Sequence, residues 1–177
     1  MGLKQIFFLL FYGLLMLLST SCNEAVVIEQ QPVIQIDEED KITANKEIVR
    51  QEHDRIMLLA KRYNWNLTQS GSGLFYEILN EKSGNSPQPK DKVQIKGKIY
   101  LQDGTEIYSD QANGVKELIV NRSEDVVGLH ELVKLMHEGE KSRAVIPSYL
   151  AYGISGDGDL IPPAAFLLCE IELVKIN

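Results

Sequence analysis

Toward the end of the chain apolar and polar residues alternate, with Leu167, Cys169, Ile171 and Leu173 set against Glu170 and Glu172. A period of two predicts a β-strand with one buried and one wet face. The same alternation runs through 93–101, where Val93, Ile95, Gly97, Ile99 and Leu101 oppose Gln94, Lys96, Lys98 and Tyr100. Shorter apolar runs predict strands at 74–79, at Ile107-Tyr108, at 116–120 and at 142–146. Asp103-Gly104 is a favoured hairpin turn. Two stretches follow a helical period instead. In 41–63, Val49, Ile56, Leu59, Ala60 and Tyr63 recur on one narrow face, with Asp40 or Thr43 as candidate caps. Further on, Leu129, Leu132, Val133 and Met136 form a stripe, with start chemistry at Ser123-Glu124-Asp125 and a stop at Gly139. Five or six short strands and one central helix predict an α+β domain. An antiparallel sheet curls around that helix, preceded by an N-terminal amphipathic helix.

The narrow apolar face of the 41–63 helix must be covered. Docking on the domain is the expected solution, and self-association is the alternative. Residues 23–40 show no sustained period and carry Pro32 and an acidic cluster at 37–40, as a mobile tether would. Val26, Val27 and Ile28 leave room there for a short strand or a partner contact. Gln69 to Gly73 and the proline-bearing 80–90 segment read as loops.

At the N-terminus, Lys4 precedes the apolar run 6–18, which is shorter than the roughly 20 residues a bilayer span needs but suits a secretory signal. Small residues then lead to Cys22. This resembles a bacterial lipoprotein signal in which Cys22 becomes the lipidated first residue, although the leucine such signals carry sits one step early, at Leu18. The implied organisation is a signal peptide at 1–21, a tether at 22–40, a helical segment at 41–69 and one folded domain at 70–177.

Charge and composition narrow the function classes. The 177 residues carry a net charge of −7, which opposes binding to nucleic acid and gives no help on an anionic membrane surface. The chain has two cysteines. With lipid on Cys22, Cys169 has no partner and reads as a small buried apolar residue. His130 and His137 sit beside Lys134 on the expected wet side of the helix, with no third ligand at a zinc-like spacing; ordinary surface histidines and no metal are expected.

The segment 144–175 holds the remaining signal. Pro147, Tyr149, Ala151, Tyr152 and Gly153 form a P-x-Y-x-A-Y-G pattern, Ile161-Pro162-Pro163 follows, and Glu170-Ile171-Glu172-Leu173 closes the chain. With the hairpin-like Leu101 to Thr105, this ordered set resembles FKBP-type peptidyl-prolyl isomerases over roughly residues 70 to 177. The resemblance implies a half-barrel sheet around a short helix and an apolar cleft for X-Pro segments, with no cofactor. It also implies roles for particular residues. Tyr152 matches the tyrosine whose hydroxyl binds a substrate carbonyl, Val126 the residue whose backbone N–H binds another, and Leu160 and Ile161 the aliphatic rim.

Other positions depart from the family's pattern. Leu129 stands at the pocket-floor tryptophan and Cys169 at a wall aromatic. Ile107-Tyr108 replaces an aromatic-Asp pair. The strand tyrosine aligns with Gly97, or with Ile95 or Ile99 if the strand carries an insertion, and a phenylalanine falls near Val115 or Lys116. Tyr108 is a candidate to refill the space at Gly97. A cleft with fewer rings implies a slower isomerase, or a domain that keeps its shape as a non-catalytic interaction module. An apolar cleft also suits a small-molecule binder.

The combination of lipid signal, helical N-segment and substituted pocket is similar to gliding-motility-associated FKBP-like lipoproteins of the Bacteroidetes. That likeness implies a cell-envelope location, lipid-anchored at the outer membrane and facing the periplasm. It also implies proline-containing clients and envelope proteins as partners.

Overall fold

The computed structural model describes residues 37–177; the signal segment, Cys22 and the tether up to residue 36 lie outside the described residues. Glu38–Asn177 form one compact unit. The chain enters through helix α1 (Glu38–Tyr63), then strands β1 (Thr68–Gln69), β2 (Phe75–Ile78), β3 (Lys92–Leu101) and β4 (Glu106–Ser109). A short helix α2 (Asp110–Asn113), strand β5 (Lys116–Ile119), helix α3 (Val127–Lys134) and strand β6 (Lys141–Ile146) follow. A 3-10 turn at Ser148–Leu150 and a long loop lead to β7 (Leu167–Ile176). All pairings are antiparallel, in the order β1-β2-β6-β7-β3-β4 with β5 beside β3. The fold is the expected α+β half-barrel wrapped on one short helix.

Alternation along the strands decides which residues meet α3. Ala144 and Ile146 of β6, Cys169, Ile171 and Leu173 of β7, and Ile95, Ile99 and Leu101 of β3 all face the core packed on Leu129, Leu132, Val133 and Met136. Residues one step out of phase face the opposite side. There a one-sided sheet would leave Phe75, Val145 and Leu168 in solvent; instead, together with Phe166, they pack under Ile56 of α1. Ile56 is fully buried, and removing such a side chain from water contributes about 1.5–3 kcal/mol. The sheet is therefore covered on both faces at this end, which is why Leu168 interrupts the alternation read from sequence.

Docking of α1 is confined to its second half, where Glu52, Ile56 and Ala60 are buried. Val49 and Tyr63, on the predicted apolar stripe, stay 43% and 55% exposed. The helix also starts earlier than expected, at Glu38, because Glu38, Glu39 and Asp40 form its first turn, where acidic side chains favour the positive end of the helix dipole.

Three further expectations change. Helix α3 ends at Lys134, with Leu135 as its C-cap, and Gly139 turns the chain later, at φ 82°. Its start uses none of the Ser123-Glu124-Asp125 side chains; the N-cap is Val126, which makes no side-chain capping bond. His130 is buried at 6% exposure rather than on the wet side. Its Nδ1 accepts the Asn121 N–H at 3.2 Å, and its Nε2 lies 3.2 Å from the Ser123 carbonyl. The ring thus pins the 121–123 turn that leads into α3, because two backbone polar groups there need partners. His137 instead meets Glu140 across 3.3 Å.

Candidate active site

Between the start of α3 and the 147–166 loop lies a cleft of about 230 Å³. Val126 and Leu129 of the α3 segment form one side, Ile107 and Tyr108 of β4 another, and Tyr152, Leu160 and Ile161 the loop side. Ile99 and Leu167 supply apolar sheet surface, while Lys116, Asp125 and Asp157 add charge at the cleft.

Two residues of this lining, Val126 and Tyr152, carry hydrogen-bond donors without a partner among the described residues. Val126 adopts extended backbone as the N-cap of α3, so its N–H belongs to the unsatisfied donors of a helix start. Among the described residues it has no acceptor, while its carbonyl accepts from Leu129 and His130. The Tyr152 hydroxyl likewise has no partner among the described residues, and the side chain is part-exposed at 41%. Burial, together with the charges of Asp125 and Asp157 and against that of Lys116, pushes its phenol above the ordinary value. It remains a neutral O–H donor at physiological pH.

Within the loop that carries Tyr152, a side chain ties the backbone. Asp157 Oδ1 accepts the N–H of Asp159 at 2.9 Å and of Ile161 at 2.7 Å, an Asx-turn arrangement. These backbone bonds hold the Asp157 carboxyl below the usual carboxylate range. Ile161 is thereby fixed with its side chain 6% exposed. The turn requires glycine at Gly156, where φ is 68° and a Cβ would fall 2.1 Å from the Ile161 carbonyl oxygen.

Seven of the expected site residues meet at this cleft: Tyr152, Val126, Ile107, Tyr108, Leu129, Leu160 and Ile161. Gly97 and Cys169 do not. Gly97 pairs with Ile171 of β7 and borders a separate groove beside Asp110 and Lys141. At its φ of 130° a Cβ would fall 2.0 Å from the Glu170 carbonyl oxygen, so the space beside it is filled by β7 backbone and not by a refilling ring. Tyr108 is engaged elsewhere, its hydroxyl donating to the Gly114 carbonyl at 2.7 Å. Ile99 is the β3 residue that lines the cleft, two positions on from Gly97 on the same face of the strand. Cys169, paired between Ile99 and Ala144, is fully buried in the core. Cys22 lies outside the described residues.

Sequence reasoning overlooked Asp157 and assigned Asp125 to helix capping. The signal for Asp157 was present, an aspartate between Gly156 and Gly158, which is Asx-turn chemistry. Asp125 gave none, because its partner Lys116 comes from another strand at 2.7 Å.

A curled sheet over one helix thus carries a largely apolar cleft whose lining includes Val126 and Tyr152, each with a donor that has no partner among the described residues. Residues 84–174 match the family model for FKBP-type peptidyl-prolyl cis-trans isomerase, and the chain belongs to that family.

The chain is 38% identical over 108 residues to a probable FKBP-type peptidyl-prolyl cis-trans isomerase FkpA of Neisseria meningitidis, covering 61% of this chain and 39% of that protein. It is 37% identical over 118 residues to the Escherichia coli FKBP-type 22 kDa peptidyl-prolyl cis-trans isomerase, covering 66% and 55%. FK506-binding protein 1B of Aspergillus fumigatus is 34% identical over 114 residues and is 95% covered. The chain thus spans about half or less of the two bacterial relatives and nearly all of the fungal one. The crystal structure of FkpA from Escherichia coli superposes with a TM-score of 0.60 at 26% identity, over 78% of this chain and 67% of that one. The matched segment 84–174 contains every residue of the cleft and none of α1.

Proposed function

We propose that the protein is a peptidyl-prolyl cis-trans isomerase of the cell envelope that assists exported polypeptides. The observation that carries this is the pairing of the unengaged Tyr152 hydroxyl and Val126 N–H across one apolar cleft. An X-Pro bond rotates over a barrier of about 18–20 kcal/mol because planarity preserves amide resonance. The twisted bond is less polar than the planar amide, so a slot lined by Leu129, Ile99 and Ile161 favours it relative to water. The Val126 N–H and Tyr152 hydroxyl hold flanking carbonyls while the bond turns. This chemistry asks for positioning and desolvation rather than a nucleophile.

Turnover slower than that of ring-rich relatives is part of the proposal. Leu129 provides a smaller floor than a tryptophan, and Tyr108 brings a hydroxyl bound to Gly114 in place of a carboxylate. Because an aromatic side chain buries about 150–250 Å², each lost ring weakens the hold on the prolyl segment. The test is exchange of a tetrapeptide proline substrate, and proline-limited refolding, in the presence of the protein. No acceleration of either at high protein concentration rejects the isomerase.

The same substitutions favour a second reading, a weakly active or inactive module that grips an envelope partner in a motility or secretion assembly. Partner recovery that survives Tyr152→Phe and Leu129→Ala but is lost on deleting 23–63 would select it. Under either reading Cys22 carries lipid and anchors the domain at the outer membrane, facing the periplasm, with 22–37 as the spacer. The likeness to gliding-motility-associated FKBP-like lipoproteins rests on the same combination of features. Metabolic labelling with a fatty-acid probe tests the anchor, and labelling that persists in Cys22→Ala overturns it.

A further inference from the structure

We propose that Glu52 of α1 is a positioning residue for the cleft, holding the Tyr152 loop in place through Ser148; this rests on the isomerase reading. Glu52 is 2% exposed, yet none of the ion pairs among the described residues includes it. The small cavity that Glu52 borders is lined mostly by Val49, Ile56, Phe75, Pro147 and Tyr149, with His53 and Gln69 as the other polar members. A buried carboxylate in such a place is costly unless its oxygens are hydrogen-bonded. Both are: Oε1 accepts the Ser148 N–H at 2.8 Å, and Oε2 accepts the Ser148 hydroxyl at 3.0 Å. A leucine at this position would serve helix docking alone; the two oxygens of Glu52 each take one donor of Ser148.

Ser148 is where that grip reaches the cleft. It is 4% exposed and opens the 3-10 turn, whose N-cap Pro147 makes no side-chain bond to it. Glu52 therefore caps the turn from another part of the chain. From Ser148 the bonds continue. Its carbonyl accepts the Ala151 N–H at 2.9 Å and the Gly153 N–H at 2.8 Å, closing the backbone around Tyr152. The Gly153 carbonyl accepts the Ala164 N–H at 3.0 Å, just beyond Ile161-Pro162-Pro163. The relay Glu52, Ser148, Gly153, Ala164 thus brackets both the donor Tyr152 and the rim residue Ile161. Displacing a positioned group by a fraction of an ångström is enough to lower a rate. Since α1 lies outside the family-matched segment, this part of the cleft's rigidity comes from an element the isomerase core does not itself contain.

The test compares Glu52→Leu, Glu52→Gln and Ile56→Ala with the unaltered protein, reading kcat and KM by NMR exchange on a proline tetrapeptide, together with amide hydrogen exchange at Gly153 and Ala164. Glu52→Leu should stay folded, lose about tenfold in kcat/KM, and exchange those two amides at least about fivefold faster. The isosteric Glu52→Gln keeps one oxygen acceptor and should recover part of both. Ile56→Ala should lower the melting temperature while leaving the per-molecule kcat near normal below it. Normal kcat/KM with unchanged exchange in Glu52→Leu overturns the proposal. If that variant fails to fold, unchanged exchange and rate in Glu52→Gln overturn it equally. An unaltered protein without turnover rejects the isomerase reading instead, and the two amides then decide the relay by themselves.

Discussion

Lys116 Nζ of β5 lies 2.7 Å from Asp125 Oδ1, one residue before Val126, with the two side chains only 29% and 19% exposed. The pair ties the strand at the cleft's edge to the backbone that presents the Val126 N–H, and Lys116 also lies 5.7 Å from the centre of the Tyr108 ring. Partly exposed pairs contribute little to stability, about 0–1 kcal/mol, so its effect should appear in the site. Asp125→Asn is expected to change denaturant-measured stability by less than about 1 kcal/mol while raising KM for a proline peptide. Stability and KM moving together would instead mark a purely structural role.

Tyr152→Phe removes one donor and keeps the ring. With a single neutral hydrogen bond worth about 0.5–1.5 kcal/mol, kcat/KM should fall roughly three- to tenfold, and unfolding should be unaffected because the side chain is 41% exposed. Since the phenol is pushed above its ordinary value of 10, the hydroxyl's contribution should hold constant across neutral pH and decline only at pH values above that. An NMR exchange assay from pH 6 to strongly alkaline conditions checks both.

Acid should loosen the turn before β6. Glu140 is 2% exposed and accepts the Lys82 N–H at 2.6 Å and the His137 N–H at 2.8 Å. Burial alone would raise its carboxyl, but these bonds and the His137 side chain outweigh it and hold the group below its usual 4.5. A carboxylate with a depressed folded value stabilises the fold above its unfolded value and loses that contribution as pH falls through the folded one. Resistance to urea should therefore weaken below about pH 4.5. Glu140→Gln should lose about 1–3 kcal/mol at neutral pH and show a shallower decline in acid.

Cys169 should be inert. It is fully buried, and loss of hydration pushes its thiol up to about 12; the thiolate is the reactive form. A thiol reagent at pH 8 should leave Cys169 unlabelled in the folded protein and label it in denaturant. Rapid labelling of the folded chain would show that the core opens at β7.

Much of the fold was legible along the chain. Alternation in 93–101 and 167–173 and the stripe from Leu129 to Met136 are local signals; the strands stand where alternation puts them, and the helix covers the stripe as far as Val133. Tyr152 and Ile161 were singled out by the family likeness of the 144–175 segment, whose glycines and prolines impose backbone geometry that sequence displays, and Val126 by the wider likeness over 70–177; the structure brings all three to one cleft. Gly97 was misplaced for an equally physical reason. Gly97 and Ile99 share one face of β3, so alternation does not choose between them; the β7 backbone closes on Gly97, and Ile99, which the alignment also offered, lines the cleft. His130 looked wet because helical periodicity takes no account of the 121–123 turn that folds over the ring.

By itself the sequence determined which segments form strands and helices, which face of each seeks the core, and which loop carries the isomerase-like residues. These follow from side-chain periodicity and local backbone preference. Only the tertiary structure decided that Glu52 reaches Ser148, that Lys116 pairs with Asp125, and that Leu168 is covered by α1. Each of these joins residues of different elements, and which groups meet depends on how the sheet curls and where the helix lands on it.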